Sequence, residues 1–157
     1  MSDIRVNLDR IDRDLLNALQ ADGRISNTEL AQRLGLSQSG CLRRVQRLEA
    51  AGIIEGYGAR LNAAALGKAE TVFIEITLAS QSEAALDAFE RAASASADIL
   101  ECHLMAGDYD YLLRVAVSDS ADYEKLHRKQ LAAFPYVARI RSHFALRRVS
   151  RRVGVSL

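Results

Sequence analysis

Apolar residues recur at spacings of three and four through the N-terminal third of the chain and at alternate positions through much of the remainder, which predicts helices first and a mixture of strands and helices after them. Leu8, Ile11, Leu15, Ala18 and Leu19 form one stripe of an amphipathic helix, and Asp9, Asp12 and Asp14 crowd its opening turns, where the helix dipole favours acids. Gly23 is expected to stop that helix. A second helix is predicted over 28–34, with Ser26 or Asn27 as its cap and Leu30, Ala31 and Leu34 facing inward. Gly35, Leu36 and Ser37 then turn the chain, Gly35 supplying the positive φ that closes the helix.

A third helix follows, capped by Ser37, with Cys41, Val45 and Leu48 as its apolar face and Arg43 and Arg47 opposite. Two short helices joined by a three-residue turn containing glycine, the second of them basic, are a helix-turn-helix. Residues 53–58, with glycines at 56 and 58, predict a short extended wing; without a third glycine they do not make a phosphate loop.

Beyond a connector of small residues over 61–70, Val72, Ile74, Ile76 and Leu78 alternate strictly and predict a strand over 71–78. Ser80 and Glu83 have the spacing of a capping box for a helix to about residue 95. A strand over 99–105, a turn at 106–109, a strand over 110–117, a helix over 120–133 stopped by Phe134 and Pro135, and a last strand over 137–149 complete the pattern. The fold class is therefore α+β: a winged helix-turn-helix domain over 1–60, then a ferredoxin-like βαββαβ sandwich over 71–149, then a basic tail over 150–157. Phe73, Leu112 and Ala145 are expected on the open face of its sheet, which a second copy of the chain would cover in a two-fold dimer.

Charge refines this reading. The net charge is +1, but residues 1–60 hold nine Lys and Arg against eight acids, residues 61–146 eight against twelve, and residues 147–157 four against none. Local basic faces, rather than a basic body, must therefore carry any nucleic-acid contact. Cys41 and Cys102 fit buried patterns better than a disulfide or a metal site. No membrane span and no signal-peptide core is visible, so a soluble cytoplasmic protein is expected.

No metalloprotease, redox-dithiol, nucleophile-elbow or nucleotide-loop motif is present, so no catalytic residue, metal or cofactor is expected. Gln38, Ser39 and Arg43 are the candidates for base edges, since glutamine can pair bidentately with adenine and arginine with guanine. Arg44 and Arg47, with Ser26, Asn27 and Thr28, are expected on phosphates, and Ser37 belongs to the same DNA-facing set. In the second domain Gly107, Asp108, Tyr109 and Asp110 form a turn where backbone amides can hold a carboxylate and an aspartate can hold an ammonium group, the two charges of an α-amino acid.

The stretch LDRIDRDLLNALQADGRISNTELAQRLGLSQSGCLRRVQRLEAAGIIEGY, residues 8–57, resembles the DNA-binding half of the Lrp/AsnC family of transcription regulators, and ECHLMAGDYDYLLRV, residues 101–115, extends the resemblance into the second half. The resemblance implies a transcription regulator of amino-acid metabolism that binds double-stranded DNA, assembles as dimers and further into tetramers or octamers, and holds a small effector between subunits. It adds Leu104, Met105, His143, Phe144 and Ala145 to the effector positions. The family often has prolines in the opening turn of the recognition helix, where this chain has Gln38 and Gly40. An enzyme reading, similar to the sirohaem decarboxylases of the same two-domain arrangement, would need His103, His127 or His143; a basic recognition helix carrying Arg43, Arg44 and Arg47 counts against it.

Overall fold

A computed structural model describes residues 7–151 and 154–157 and divides the chain into two compact units. One runs to Arg60 and takes in the tail from Ser150; the other is Leu61–Val149. Arg152, expected in the basic tail, lies outside the described residues.

The first unit is built of α1 (Arg10–Ala21), α2 (Asn27–Leu34) and α3 (Gln38–Ala50). A reciprocal capping box opens α1: the Asp9 carboxylate accepts the Asp12 N–H at 2.8 Å and the Asp12 carboxylate accepts the Asp9 N–H at 3.2 Å. The helix stops at Asp22 rather than through Gly23, because the Asp22 carboxylate accepts the Arg24 N–H at 2.8 Å and draws the chain into a local turn. Ser26, not Asn27, caps α2, through a second capping box with Glu29. These bonds hold the Glu29 carboxyl below its ordinary range, the Ser26 hydroxyl contributing most.

Gly35 takes φ 67°, the left-handed conformation expected of it, and the Leu36 N–H returns to the Ala31 carbonyl. Leu15, Leu16, Ala18, Leu30, Ala31, Cys41 and Leu48 form the core, with Ile53 and Ile54 packed on it. The expected wing segment thus supplies core residues, but it forms no strand ladder among the described residues. In the tail, the Gln20 side-chain amide pairs with both backbone groups of Val155, at 2.6 and 3.2 Å.

The second unit contains β1 (Glu70–Leu78), α4 (Glu83–Ala95), β2 (Ile99–Leu104), β3 (Tyr111–Val117), α5 (Ser120–Lys129) and β4 (Val137–Phe144). Its antiparallel sheet has the order β2-β3-β1-β4, as the βαββαβ pattern requires. One face is the core: Val72, Ile74, Ile76, Leu113 and Val115 pack with Phe89, Tyr123, Leu126 and Leu131. Ser82 rather than Ser80 caps α4; the Ser80 hydroxyl instead accepts the Ser82 N–H. The helix expected to reach residue 133 ends at Lys129 and gives way to a 3-10 turn, Leu131–Ala133. The last strand ends at Phe144, not Val149, because β1 begins at Glu70: the Ala145 N–H bonds the Thr71 carbonyl and no partner strand extends further.

Lys68, just before β1, reaches Asp122 of α5 at 2.9 Å, and Asp122 also accepts the Ser118 N–H. The Lys68 ammonium, with that amide, holds the Asp122 carboxyl down at about 2 against an ordinary 3.8. A depressed carboxylate stabilises the fold above its unfolded value and loses that contribution as pH falls through the folded one. Lys68→Met is therefore expected to lower the urea midpoint near neutral pH, with the gap to the unaltered chain closing between pH 3.8 and about 2. A gap of constant size across that range would contradict the assignment.

Candidate nucleic-acid interface and effector turn

The Ser37 hydroxyl accepts the Gly40 N–H at 3.1 Å and sets the first turn of α3. A Cβ at position 40 would lie 3.0 Å from that hydroxyl, and proline there would remove the donated N–H altogether. Glycine in this opening turn therefore preserves the cap that a larger residue would crowd. Asn27 donates its side-chain amide to the Gln38 carbonyl at 2.9 Å, tying the start of α2 to the start of α3.

Several members of the expected DNA-facing set are thus engaged within the protein. Ser26 and Ser37 spend their hydroxyls as caps, and Asn27 braces the turn. Thr28, Gln38, Ser39 and Arg43 remain exposed, and no carboxylate among the described residues pairs with Arg43.

Arg44 and Arg47, expected on phosphates, are turned instead toward α1. The Arg44 Nη1 donates to Asp12 Oδ1 at 2.7 Å and to Asp9 Oδ2 at 2.8 Å, and the Arg47 Nη2 donates to Asp12 Oδ2 at 2.5 Å. Asp12 is fully buried, whereas the Arg44 and Arg47 side chains are 26% and 49% exposed. The Asp12 backbone N–H, followed by the Arg44 guanidinium, holds the Asp9 carboxyl below its ordinary range, and the two carboxylates raise Arg44 in turn. In the sequence, Asp9 and Asp12 read only as acids at a helix start. The missed signal is position: Asp12 falls between Leu8 and Leu15 on the stripe that must face the core, where a carboxylate needs a cation.

In the second unit Gly107 has φ 149° at the β2–β3 turn, so this backbone conformation is one that side chains rarely adopt. Asp108 is exposed at the same turn. Asp110, expected as an alternative partner for an ammonium group, is only 7% exposed, and its carboxylate accepts the Leu78 N–H and the Gln81 side-chain amide, both at 2.7 Å. It anchors the turn to the segment after β1 and leaves Asp108 as the available acid.

The structure gathers Leu104, Met105, Gly107, Asp108, Tyr109 and Asp110 at one end of the sheet, but not His143, Phe144 and Ala145. Tyr111, Ile76 and Ile140 lie in register near the turn, whereas Val72 pairs with Phe144 four residues away. That is about 13 Å along the strands, and the two intervening strands add about 14 Å across them. His143 and Phe144 also face opposite ways. His143 lies over the open face, 3.2 Å from Glu75, while Phe144 packs edge-on against Tyr123. Within one chain the nine positions are two groups, so a shared pocket requires another subunit.

The open face carries Phe73, 37% exposed, and Leu112, beside the Arg114–Glu101 ion pair (2.6 Å) and the contact of His143 with Glu75. Ala145, expected on this face, follows the end of β4. His103 and His143 stand on the opposite edge strands β2 and β4. No group of three or more metal-binding side chains occurs among the described residues, and no helix among them is long and apolar enough to cross a membrane.

Comparison with known proteins matches residues 8–55 to a winged helix-turn-helix DNA-binding family and residues 71–155 to the Lrp/AsnC ligand binding domain. The chain is 46% identical over 145 residues to the leucine-responsive regulatory proteins of Escherichia coli K12 and Klebsiella pneumoniae, covering 92% of this chain and 88% of theirs. Among solved structures it is similar to a Neisseria meningitidis transcriptional regulator in complex with L-Met, with TM-score 0.89, 30% identity, and 95% and 96% of the two chains covered. An AsnC family regulator from Agrobacterium tumefaciens gives TM-score 0.89 at 34% identity, with 95% and 97% covered.

Proposed function

Because the chain belongs to the Lrp/AsnC family of transcription regulators, we propose that it reads duplex DNA through α3 and changes its hold on that DNA when an amino acid binds at the β2–β3 turn. The observation that carries the DNA half is the contrast among the three arginines of α3: Arg44 and Arg47 are held by acids of α1, whereas Arg43 stands exposed beside Gln38 and Ser39. In this reading Gln38, Ser39 and Arg43 meet base edges and Thr28 meets phosphate, while Arg47 is held by Asp12. Ser26, Asn27, Ser37 and Arg44 support the interface by shaping it. The chain acts in the cytoplasm, as a regulator rather than an enzyme; the relatives named above are regulators, and none of them supports the decarboxylase alternative.

For the effector, Asp108 is the partner for the ammonium group, and the backbone amides around Gly107 are donors for the carboxylate. The open sheet face meets a second copy of the chain. Dimers associate further, and His143, Phe144 and Ala145 of another subunit complete the pocket. A ligand that prefers one arrangement of dimers then shifts the population that holds DNA, without touching the DNA site. Two recognition helices on a two-fold axis address half-sites about 34–36 Å apart or a multiple of that.

One experiment tests both halves. A duplex selected by the full-length chain from a random-sequence pool, and a scrambled duplex, are titrated with the unaltered protein and with Arg43→Ala, each with and without single amino acids, the apolar ones first. Arg43→Ala is expected to weaken the selected duplex by about 1–3 kcal/mol, roughly fivefold to 150-fold, while binding the scrambled one nearly as before. Equal affinity of the two proteins for the selected duplex would remove Arg43 from base reading. A titration unmoved by any amino acid would remove the sensor assignment.

A further inference from the structure

A carboxylate buried in the DNA-binding unit touches two arginines of the recognition helix. Asp12 is fully buried, and both its oxygens are occupied: Oδ1 by Arg44, Oδ2 by Arg47 and by the Asp9 N–H. Asp9, half exposed, adds a second acceptor for Arg44. Two guanidinium groups therefore face two carboxylates, and the pair of helices is locally neutral where α3 by itself is strongly basic.

A buried carboxylate left without its cation is costly, so the arrangement holds only while both arginines stay turned toward α1. That constraint has two consequences for DNA. It ties α3 to α1 through Arg44 and Arg47, which sets the angle at which Gln38, Ser39 and Arg43 are presented. It also withholds charge from phosphates, the sequence-independent part of binding.

We propose that Asp12 is a positioning residue for DNA recognition, which holds Arg44 and Arg47 back from phosphate so that affinity rests on Arg43 and its neighbours and discrimination is gained over strength. This rests on the DNA-binding reading above. A merely structural ion pair would make any loss of Asp12 weaken all DNA alike; restraint makes the opposite prediction for non-specific DNA.

The test uses the full-length chain with Asp12→Asn and with Asp9→Asn, titrated by fluorescence anisotropy against the selected and the scrambled duplex at four salt concentrations, with circular dichroism to establish folding. Asp12→Asn is expected to tighten binding to the scrambled duplex and to steepen its salt dependence by roughly one to two in log–log slope, as up to two freed guanidinium groups reach phosphates. The ratio of selected to scrambled affinity is expected to fall by about fivefold or more. Asp9→Asn, which replaces a half-exposed side chain, should move slope and ratio in the same direction by less, and it decides the question if Asp12→Asn does not fold. Adding Arg44→Met and Arg47→Met to Asp12→Asn should return the slope to its original value. Weaker binding to both duplexes with an unchanged slope, in folded variants, overturns the proposal. If the unaltered chain selects no duplex from the pool, the DNA-binding reading itself fails, and the two failures are thereby distinguishable.

Discussion

Leu48→Ala is expected to unfold the DNA-binding unit and leave the βαββαβ unit folded. Leu48 is fully buried on α3, one of seven buried side chains of that core among the described residues. Truncating such a leucine costs about 2–5 kcal/mol, from lost transfer energy and from the cavity left behind. A helical unit of this size has little stability to spare, since small domains bury a smaller fraction of their surface and whole domains are stable by only about 5–15 kcal/mol. The second core, around Ile74, Leu113 and Phe89, shares none of these residues. Thermal unfolding followed by far-ultraviolet circular dichroism should therefore show a lost or strongly lowered helical transition and a retained transition from the sheet-containing unit. DNA binding should vanish, while sedimentation should show the same assembly as for the unaltered chain. A single cooperative transition shifted as a whole would show that the two units do not melt separately.

Phe89→Ala is expected to do the reverse. Phe89 on α4 is fully buried, with its ring centroid 4.5 Å from that of Tyr111 and 5.8 Å from that of Phe134, the second an edge-on contact. It bridges α4, β3 and the segment before β4, so its removal opens a cavity that no one element can close. The expected loss is about 3–5 kcal/mol. Tyr111, whose hydroxyl donates to Glu90 at 2.8 Å, would lose a wall of its site, and burial with that carboxylate is what raises its ionisation far above the ordinary value. Urea unfolding should show an earlier midpoint for the sheet unit, and sedimentation should show dissociation at concentrations where the unaltered chain is assembled. If recognition helices are paired by that assembly, as proposed, operator affinity should fall although the helix-turn-helix is untouched. Unchanged assembly with the midpoint lowered would show that the open sheet face does not depend on the core behind it.

The two predictions separate functions that a single chain combines. The first concerns how one recognition helix is held, and the second whether two helices are held together. Asp12 belongs with the first: its substitution alters what α3 offers to DNA without removing the apolar side chains on which the unit folds.

Much of the architecture is legible in the amino-acid order because it follows from local rules. The three-and-four spacing of Leu15, Ala18 and Leu19 and the alternation of Val72, Ile74 and Ile76 identify helix and strand, and Ser26, Gly35 and Ser37 mark ends by chemistry that acts within four residues. Errors occur where two local rules compete. Gly23 suggested a stop, but the Asp22 side chain had already turned the chain; Ser80 had capping spacing, but Ser82 stood nearer the first turn. Strand ends are set by the partner strand, so β4 outran its own pattern only on paper, and its length was decided by where β1 begins.

What the sequence by itself determined is the kind of protein: a helix-turn-helix with an exposed arginine at position 43, followed by a βαββαβ sheet with a glycine-acid turn at 107–110. What only the tertiary structure decided is which polar groups are free to act. Arg44, Arg47 and Asp110 stand close to Arg43 and Asp108 along the chain, yet each is bonded within the fold: Arg44 to Asp9 and Asp12, Arg47 to Asp12, and Asp110 to the Leu78 amide and Gln81. The physical reason is that periodicity reports which face a residue lies on. Whether a charge there is satisfied depends on what the rest of the fold brings within hydrogen-bonding distance.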